Sequence, residues 1–435
     1  MSSDLSIAMT EIISLGDMSD QGGVLGAFGA VLGYIGAEAA TEIWFSSLLW
    51  PQRSFSHVTL RSIPTLALLM PMGGPLHKAA LSTFDIANAR GLLKGAHEGH
   101  MLGTSFFEQT DWTYTICGTA TSEPRAARNC MWARALHYMP IPAEKPGSLA
   151  GLSPPATDAA IEKGILPPTD NGRIPLRAKV AVYHLIFTPA TAEDKASQMA
   201  FVRENCGRPG WHVYLSILIA ELSGIILFAV VYAIGRSLWC LIWLAPLLLR
   251  LLSAFFALDH ESLTPVSSST SSPSTTPTTE AEPPRDFVLQ FPQSQGGDLM
   301  LFTGLPALVQ QFFRHYGHPV RNRPREILQL SIIALFAALF PLGLLASTLW
   351  MPPLVQYAWT CYQIYIVLTM HIVRYTSFGR NTSTESKIAD YLADRPAILF
   401  GEKRHGAETV KVSLIATYHA RHQEGRDCLE RLVSR

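Results

Sequence analysis

Long apolar runs dominate the hydrophobic pattern of the chain. Trp211–Leu258 is almost unbroken, and it is too long for one membrane crossing but suits two, because a spanning helix needs about 20 residues at 1.5 Å each. The pattern therefore predicts transmembrane helices over residues 212–233 and 237–258, joined by a tight turn at Gly235 and Arg236.

Three further spans are predicted from shorter apolar stretches. Residues 328–350 and 354–373 form a second pair, with prolines at positions 352 and 353 in the turn. Residues 22–50 form a first span that ends in the interfacial aromatic Trp50; a buried or amphipathic helix is the alternative, because Glu38 and Glu42 lie within the stretch. The sequence thus predicts an all-α multi-pass membrane protein with about five transmembrane helices.

Small residues recur along the first span at alternating spacings of four and three. Such a stripe lies on one helix face and lets another helix approach closely. We expect it to mediate packing within the chain, or assembly with a second copy or another membrane protein. The glycines of the stripe are Gly22, Gly26, Gly29, Gly33 and Gly36.

The remaining segments lack a run long enough to span a bilayer. The predicted order is an acidic tail (1–21), a large loop (51–210) that is Pro-rich over 139–175, a Ser/Thr/Pro-rich linker with a juxtamembrane amphipathic helix (259–327), and a tail (374–435). Strand-like stretches in the loop and tail predict small α+β extramembrane segments.

Composition supports a membrane protein, since 48% of residues are hydrophobic, 16% are charged and the mean hydropathy is +0.19. The net charge is zero, but residues 1–50 hold six acids and no Lys or Arg, whereas 374–435 hold eleven Lys/Arg against eight acids. The positive-inside rule then predicts an outside N-terminus and a cytosolic C-terminus.

Two surface features bear on that topology. Arg321, Arg323 and Arg325 stand just before a predicted span, where they are expected to meet anionic lipid. Asn381 begins an Asn-Thr-Ser sequon and would be an N-glycosylation site if the tail were lumenal. The sequon opposes the charge distribution, to which we give the greater weight.

Glu221 and Arg250 are the only charges inside the central pair of spans. Each lies fourteen residues from the turn at Gly235 and Arg236, so both are expected about 21 Å below it and able to meet. A structural clamp, a proton or ion pathway, and an Arg250 that snorkels to the headgroups are the alternatives.

The sequence offers little for catalysis or metal binding. Six cysteines show no CxxC spacing, and His97 and His100 lack the HExxH pattern of zinc enzymes. We predict no catalytic residue, no metal, no cofactor and no nucleic-acid partner.

The function expected first is that of a non-enzymatic scaffold or accessory membrane protein. The alternative is a small-solute transporter or channel that uses Glu221, Arg250, Gln363 and His371. A membrane-bound enzyme with its site in the first large loop is the second alternative.

Overall fold

The computed structural model describes residues 21–40, 43–88, 112–118, 123–139, 180–264, 283–290, 298–376, 382–402 and 408–434. Within these ranges the chain forms one mixed β-sheet and a bundle of apolar helices, which we call the helical body.

The described helices, in chain order, are α1 (Gln21–Ala39), α2 (Ile43–Leu49), α3 (Pro51–Ser54), α4 (Ile63–Leu69), α5 (His77–Ala87), α6 (Met131–His137), α7 (Ala192–Ala196), α8 (Trp211–Ala220), α9 (Leu222–Gly235), α10 (Ala245–Phe255), α11 (Pro306–Arg314), α12 (Arg323–Leu349), α13 (Pro353–Tyr375), α14 (Thr384–Asp394) and α15 (His422–Val433), with a 3-10 helix over Leu238–Leu244. The strands are β1 (Thr113–Ile116), β2 (Arg125–Ala126), β3 (Val180–Pro189), β4 (Phe201–Glu204), β5 (Arg285–Gln290), β6 (Leu299–Gly304), β7 (Ala397–Glu402) and β8 (Thr409–His419).

The described strands join in one sheet in the order β2-β1-β5-β6-β3-β8-β7-β4. Neighbours are antiparallel except for β6 with β3 and β4 with β7. The fold is therefore α+β, and the predicted all-α fold class is wrong. The prediction failed because the strands come from segments far apart in the chain, so each one in isolation looked like part of a small local unit.

Alternation along β3 explains why the sheet forms at this place. Tyr183, Leu185 and Phe187 point to one face and are buried in the main core, whereas Val182 points to the other face and packs with Leu429 of α15. A strand buried on both faces reads as a continuous apolar run, which is how VAVYHLIF reads.

Aromatic rings fill the space between the sheet and the helices α6 and α11. The ring centroid of Trp132 lies 5.3 Å from that of Phe187, 5.6 Å from Phe312 and 5.2 Å from Phe400, in edge-on arrangements. Edge-to-face pairs at this separation add to the free energy of area burial.

Two described helical segments, Leu238–Phe255 and Arg323–Leu349, are long and apolar enough to cross a membrane. A third span results if α8 and α9, which are bent by 56° at their junction, count as one. Two or three candidate spans are compatible with a membrane protein, but the predicted multi-pass architecture with about five spans is wrong.

Breaks and polar residues account for the difference. The first predicted span ends as a helix at Ala39, and its apolar part is only Val24–Ala39. The last predicted span, α13, is continuous over 23 residues, but Gln356, Gln363 and His371 and five aromatic rings lower its hydropathy.

Candidate functional site

A non-helical segment, Met70–Leu76, enters the helical body between α4 and α5. It packs closely on α13, because an ideal Cβ on Gly74 would lie 2.3 Å from the side chain of Ile366. Irregular backbone inside an apolar bundle needs partners for its N–H and C=O groups.

Glu221 and Arg250 supply these partners. Arg250 Nη1 lies 2.7 Å from Glu221 Oε1, and both side chains are buried. The same guanidinium nitrogen donates to the Met70 carbonyl at 3.0 Å, and the Met72 N–H donates to Glu221 Oε1 at 3.0 Å. The two predicted charges thus come together on the backbone of this segment.

The helical body leaves little free space beside this pair. Gln363 Nε2 donates to the Gly73 carbonyl at 3.1 Å, and the cavity that Gln363, Gly73 and Tyr362 help to line holds about 10 Å³. Such a volume suits about one water molecule. Glu221 and Arg250 thus tie the backbone of Met70 and Met72 to α10 and to the junction of α8 and α9.

The glycine stripe of α1 is covered by the chain itself. An ideal Cβ would lie 2.5 Å from Phe340 at Gly33, 2.4 Å from Leu344 at Gly29 and 2.2 Å from Pro75 at Gly36. Gly26 faces Thr348 in the same way, and Gly22 lies in the first turn of α1. The glycine stripe therefore lets α1 pack closely against α12 and α13.

A second polar cluster joins the helical body to the sheet. Arg53, in α3, places Nη2 2.6 Å from Glu385 Oε1 and Nε 3.3 Å from Glu204 Oε1. Arg134 Nη2 lies 3.2 Å from the same Glu385 oxygen. We call Arg53, Arg134, Glu204 and Glu385 the charged junction; all four are buried.

Hydrogen bonds extend the charged junction in two directions. The Tyr316 hydroxyl donates to Glu204 Oε2 and accepts from Cys206 Sγ at 3.7 Å. On the α14 side, Thr382 Oγ1 donates to the Ser54 carbonyl at 2.7 Å. The segment that follows α2 is thereby held by both β4 and α14.

The electrostatics of the junction favour charge on some groups and oppose it on others. Burial raises the pKa of Glu204 above its ordinary value, although Arg53 favours its charge. Burial acts in the same direction on Glu385, but Arg53 and Arg134 outweigh it and hold the pKa of Glu385 below its ordinary value. Burial opposes the charge on Arg53, which its two carboxylate neighbours nevertheless stabilise.

A polar cleft of about 310 Å³ opens beside the charged junction. The Trp50 ring, which stacks on His260 with centroids 3.9 Å apart and planes 6° apart, supports its wall. Gly317 has φ +74°, and its missing side chain leaves room for Trp50, which an ideal Cβ would approach to 2.6 Å. The residues that line the cleft are Asn205, Cys206, Gly207, Asp259, His260, Ser262 and Glu402.

The cleft is poorly suited to nucleophilic chemistry. Burial raises the pKa of the Cys206 thiol well above its ordinary value, so the thiol stays protonated, whereas a nucleophilic cysteine needs a lowered pKa. Among the described residues, no three His, Cys, Asp or Glu side chains are placed so that together they could hold a metal ion.

Sequence reasoning missed the charged junction entirely. The one available signal was a charged residue enclosed by aromatics, since Arg53 stands between Trp50 and Phe55. Nothing local connects Arg53 with Glu204 or Glu385, because the partners lie in other segments of the chain.

Several predicted site residues stand elsewhere. Arg323 Nη1 pairs with Glu326 at 2.7 Å, and Arg325 Nη1 donates to the Ala257 carbonyl at 2.8 Å, while Arg321 is exposed. Asn381, His97 and His100 lie outside the described residues.

No protein family, curated protein or solved structure matches this chain. Its function must therefore be inferred from its own geometry.

Proposed function

We propose that the chain is a non-enzymatic accessory protein of a membrane, which holds its sheet in one orientation against a membrane-embedded helical body. The observation that carries this proposal is the charged junction. Arg53 lies in α3, the short helix that follows the buried helix α2, and its guanidinium contacts the carboxylates of Glu204 in β4 and Glu385 in α14.

The surface of the helical body supports the membrane part of the proposal. Large apolar side chains are exposed on several of its helices, for example Ile226 (53%), Leu342 (59%) and Leu368 (58%). Apolar surface of this extent is stable in hydrocarbon and costly in water.

The sheet restricts how the chain is placed relative to the bilayer. Its strands come from before α8, from between α10 and α12, and from after α13, so these three regions share one side of the helical body. We place that side in the cytosol, because Arg53, Arg203, Arg208 and Arg374 belong to it or border it.

Fixed orientation is what a scaffold requires and what a buried ionic contact provides. Breaking such a pair leaves an uncompensated charge in the interior, which strongly disfavours separation of the two parts. The polar cleft beside the charged junction gives the part of the chain that contains the sheet a concave surface for binding a partner.

Hydrogen exchange of the protein in lipid nanodiscs tests the proposal. We expect peptides covering residues 50–57, 201–206 and 382–388 to exchange slowly and together, because they open as one cooperative unit. Arg53→Met should release protection in all three, whereas Arg208→Met, at an exposed position, should not. Independent exchange of the three peptides in the unaltered protein would contradict the proposal.

A further inference from the structure

A long apolar groove lies between the two segments that qualify as membrane spans. It holds about 590 Å³ and runs along the 3-10 helix with α10 on one side and α12 on the other. Leu248 and Leu252 face Leu335 and Leu342 across it, and the small side chains of Ala245 and Ala338 make its hollow. This hollow is distinct from the polar cleft and from the Glu221–Arg250 clamp.

We propose that this groove binds one acyl chain of a glycerophospholipid, with the lipid phosphate at Arg236. Both walls belong to candidate membrane spans, so the medium that reaches the groove is bilayer hydrocarbon. Between lipid and protein the hydrophobic effect provides no net drive, and selective binding must come from close packing. A groove with small residues at its base provides that packing for a flexible chain.

The dimensions of the groove match one leaflet. Its α12 wall from Leu335 to Ala346 contains twelve residues, which span eleven helical steps or about 17 Å. Half of a hydrocarbon core of about 30 Å is about 15 Å. A single chain therefore fills the groove without crossing far into the second leaflet.

One end of the groove has the features of a headgroup level. Trp239 and Trp350 stack there, with ring centroids 6.1 Å apart and planes 9° apart, and tryptophan is the aromatic residue enriched at the membrane interface. Arg236 precedes Trp239 by three residues, in the left-handed turn after α9 with φ 43°. It is exposed and makes no ion pair within the described part of the chain, so its charge is available to a phosphate.

Photolabelling tests the proposal on the intact protein. The protein is reconstituted in phosphatidylcholine and phosphatidylglycerol vesicles that contain a phosphatidylcholine probe with a diazirine midway along one chain, and adducts are mapped by mass spectrometry. Leu342 in the groove and Leu368 outside it are 59% and 58% exposed, so they form a matched pair. We expect about tenfold more adduct at Leu342, equivalent to about 1.4 kcal/mol of preference.

Three variants sharpen the test. Ala338→Phe fills the groove and should remove the excess at Leu342 without changing Leu368, whereas Ala334→Phe adds the same ring to an exposed position of α12 outside the groove and should have no effect. Arg236→Gln should lower the labelling of Leu342, and undiminished labelling would overturn the phosphate assignment. Equal adducts at Leu342 and Leu368 in the unaltered protein would mean an ordinary lipid annulus only and would overturn the proposal, whatever the variants do.

Discussion

The guanidinium of Arg53 lies 2.6 Å from the carboxylate of Glu385, which is 332 residues further along the chain. This contact joins the segment that leaves the second helix to the helix that precedes the last two strands. Both side chains are buried, so the contact is an interior link between the helical body and the part of the chain that contains the sheet.

Loss of the Arg53 guanidinium should therefore destabilise the protein strongly. Arg53→Met leaves Glu204 and Glu385 without their shared partner, and removal of one member of a buried pair costs about 3–5 kcal/mol. Thermal unfolding in detergent should show a clear drop in midpoint. Arg208→Met serves as the control and should change the free energy of unfolding by no more than about 0.5 kcal/mol, as expected for an exposed position.

The stability of the junction should depend on pH through His57. Burial, with a further contribution from Lys387, lowers the pKa of His57 from 6.5 to about 4. The unfolded chain then binds a proton more readily than the folded chain between pH 6.5 and pH 4. Stability is fully present above pH 6.5 and is lost as the pH falls toward 4. His57→Gln should remove this part of the pH dependence in unfolding measured across the window, and an unchanged profile would contradict the assignment.

The Glu221–Arg250 pair should behave as a clamp in a double-mutant cycle. Glu221→Leu and Arg250→Leu each leave one buried charge without its partner. Each single change should therefore lower the free energy of unfolding by about 3–5 kcal/mol, and the double change should lower it by less than the sum of the two. The protein in sealed vesicles should show no solute uptake that depends on Glu221. Uptake that Glu221→Gln abolishes would favour the transporter alternative instead.

The glycine stripe should affect folding of the single chain more than its assembly. Gly33→Leu forces a side chain into the space of Phe340, where an ideal Cβ already lies 2.5 Å from the ring, and overpacking of this kind costs about 1–3 kcal/mol. Ala30→Leu adds similar bulk to the exposed face of the same helix and is the matched control. An oligomer that dissociates in Gly33→Leu while the monomer keeps its stability would favour assembly through the stripe.

Glycosidase treatment tests the side on which the tail lies. With the tail in the cytosol, Asn381 receives no glycan, so the membrane-expressed protein and Asn381→Gln should migrate identically before and after treatment. A mobility shift that the substitution removes would place the tail in the lumen and reverse the proposed topology.

Local pattern was informative where local contacts determine structure. Glu221 and Arg250 each lie fourteen residues from the turn at Gly235 and Arg236, and this equal spacing predicted that they can meet. In the structure their side chains lie 2.7 Å apart. The helical bend of 56° at Glu221 was not predicted, and neither was the hydrogen bond that the Met72 N–H donates to the same carboxylate, because Met72 lies in a distant segment of the chain.

The sheet and the charged junction lay beyond local pattern for a related reason. Strand β3 pairs with β8, more than two hundred residues away, and nothing in a single strand records its partner. The same holds for Arg53. Its aromatic neighbours in the sequence predict that it is buried, but they do not indicate which carboxylates balance its charge.

The distance between the sheet and the helical body reports directly whether the sheet is held in one orientation. Cys117, Cys361 and Cys428 are first replaced by serine. Spin labels are then attached at Leu368→Cys in α13 and Ile415→Cys in β8, and the distance between them is measured in nanodiscs by pulsed electron paramagnetic resonance. We predict a single narrow distance distribution that broadens in Arg53→Met and is unchanged in Arg208→Met. A broad distribution in the protein with Arg53 intact would show that the sheet is not held in one orientation, and it would contradict the account.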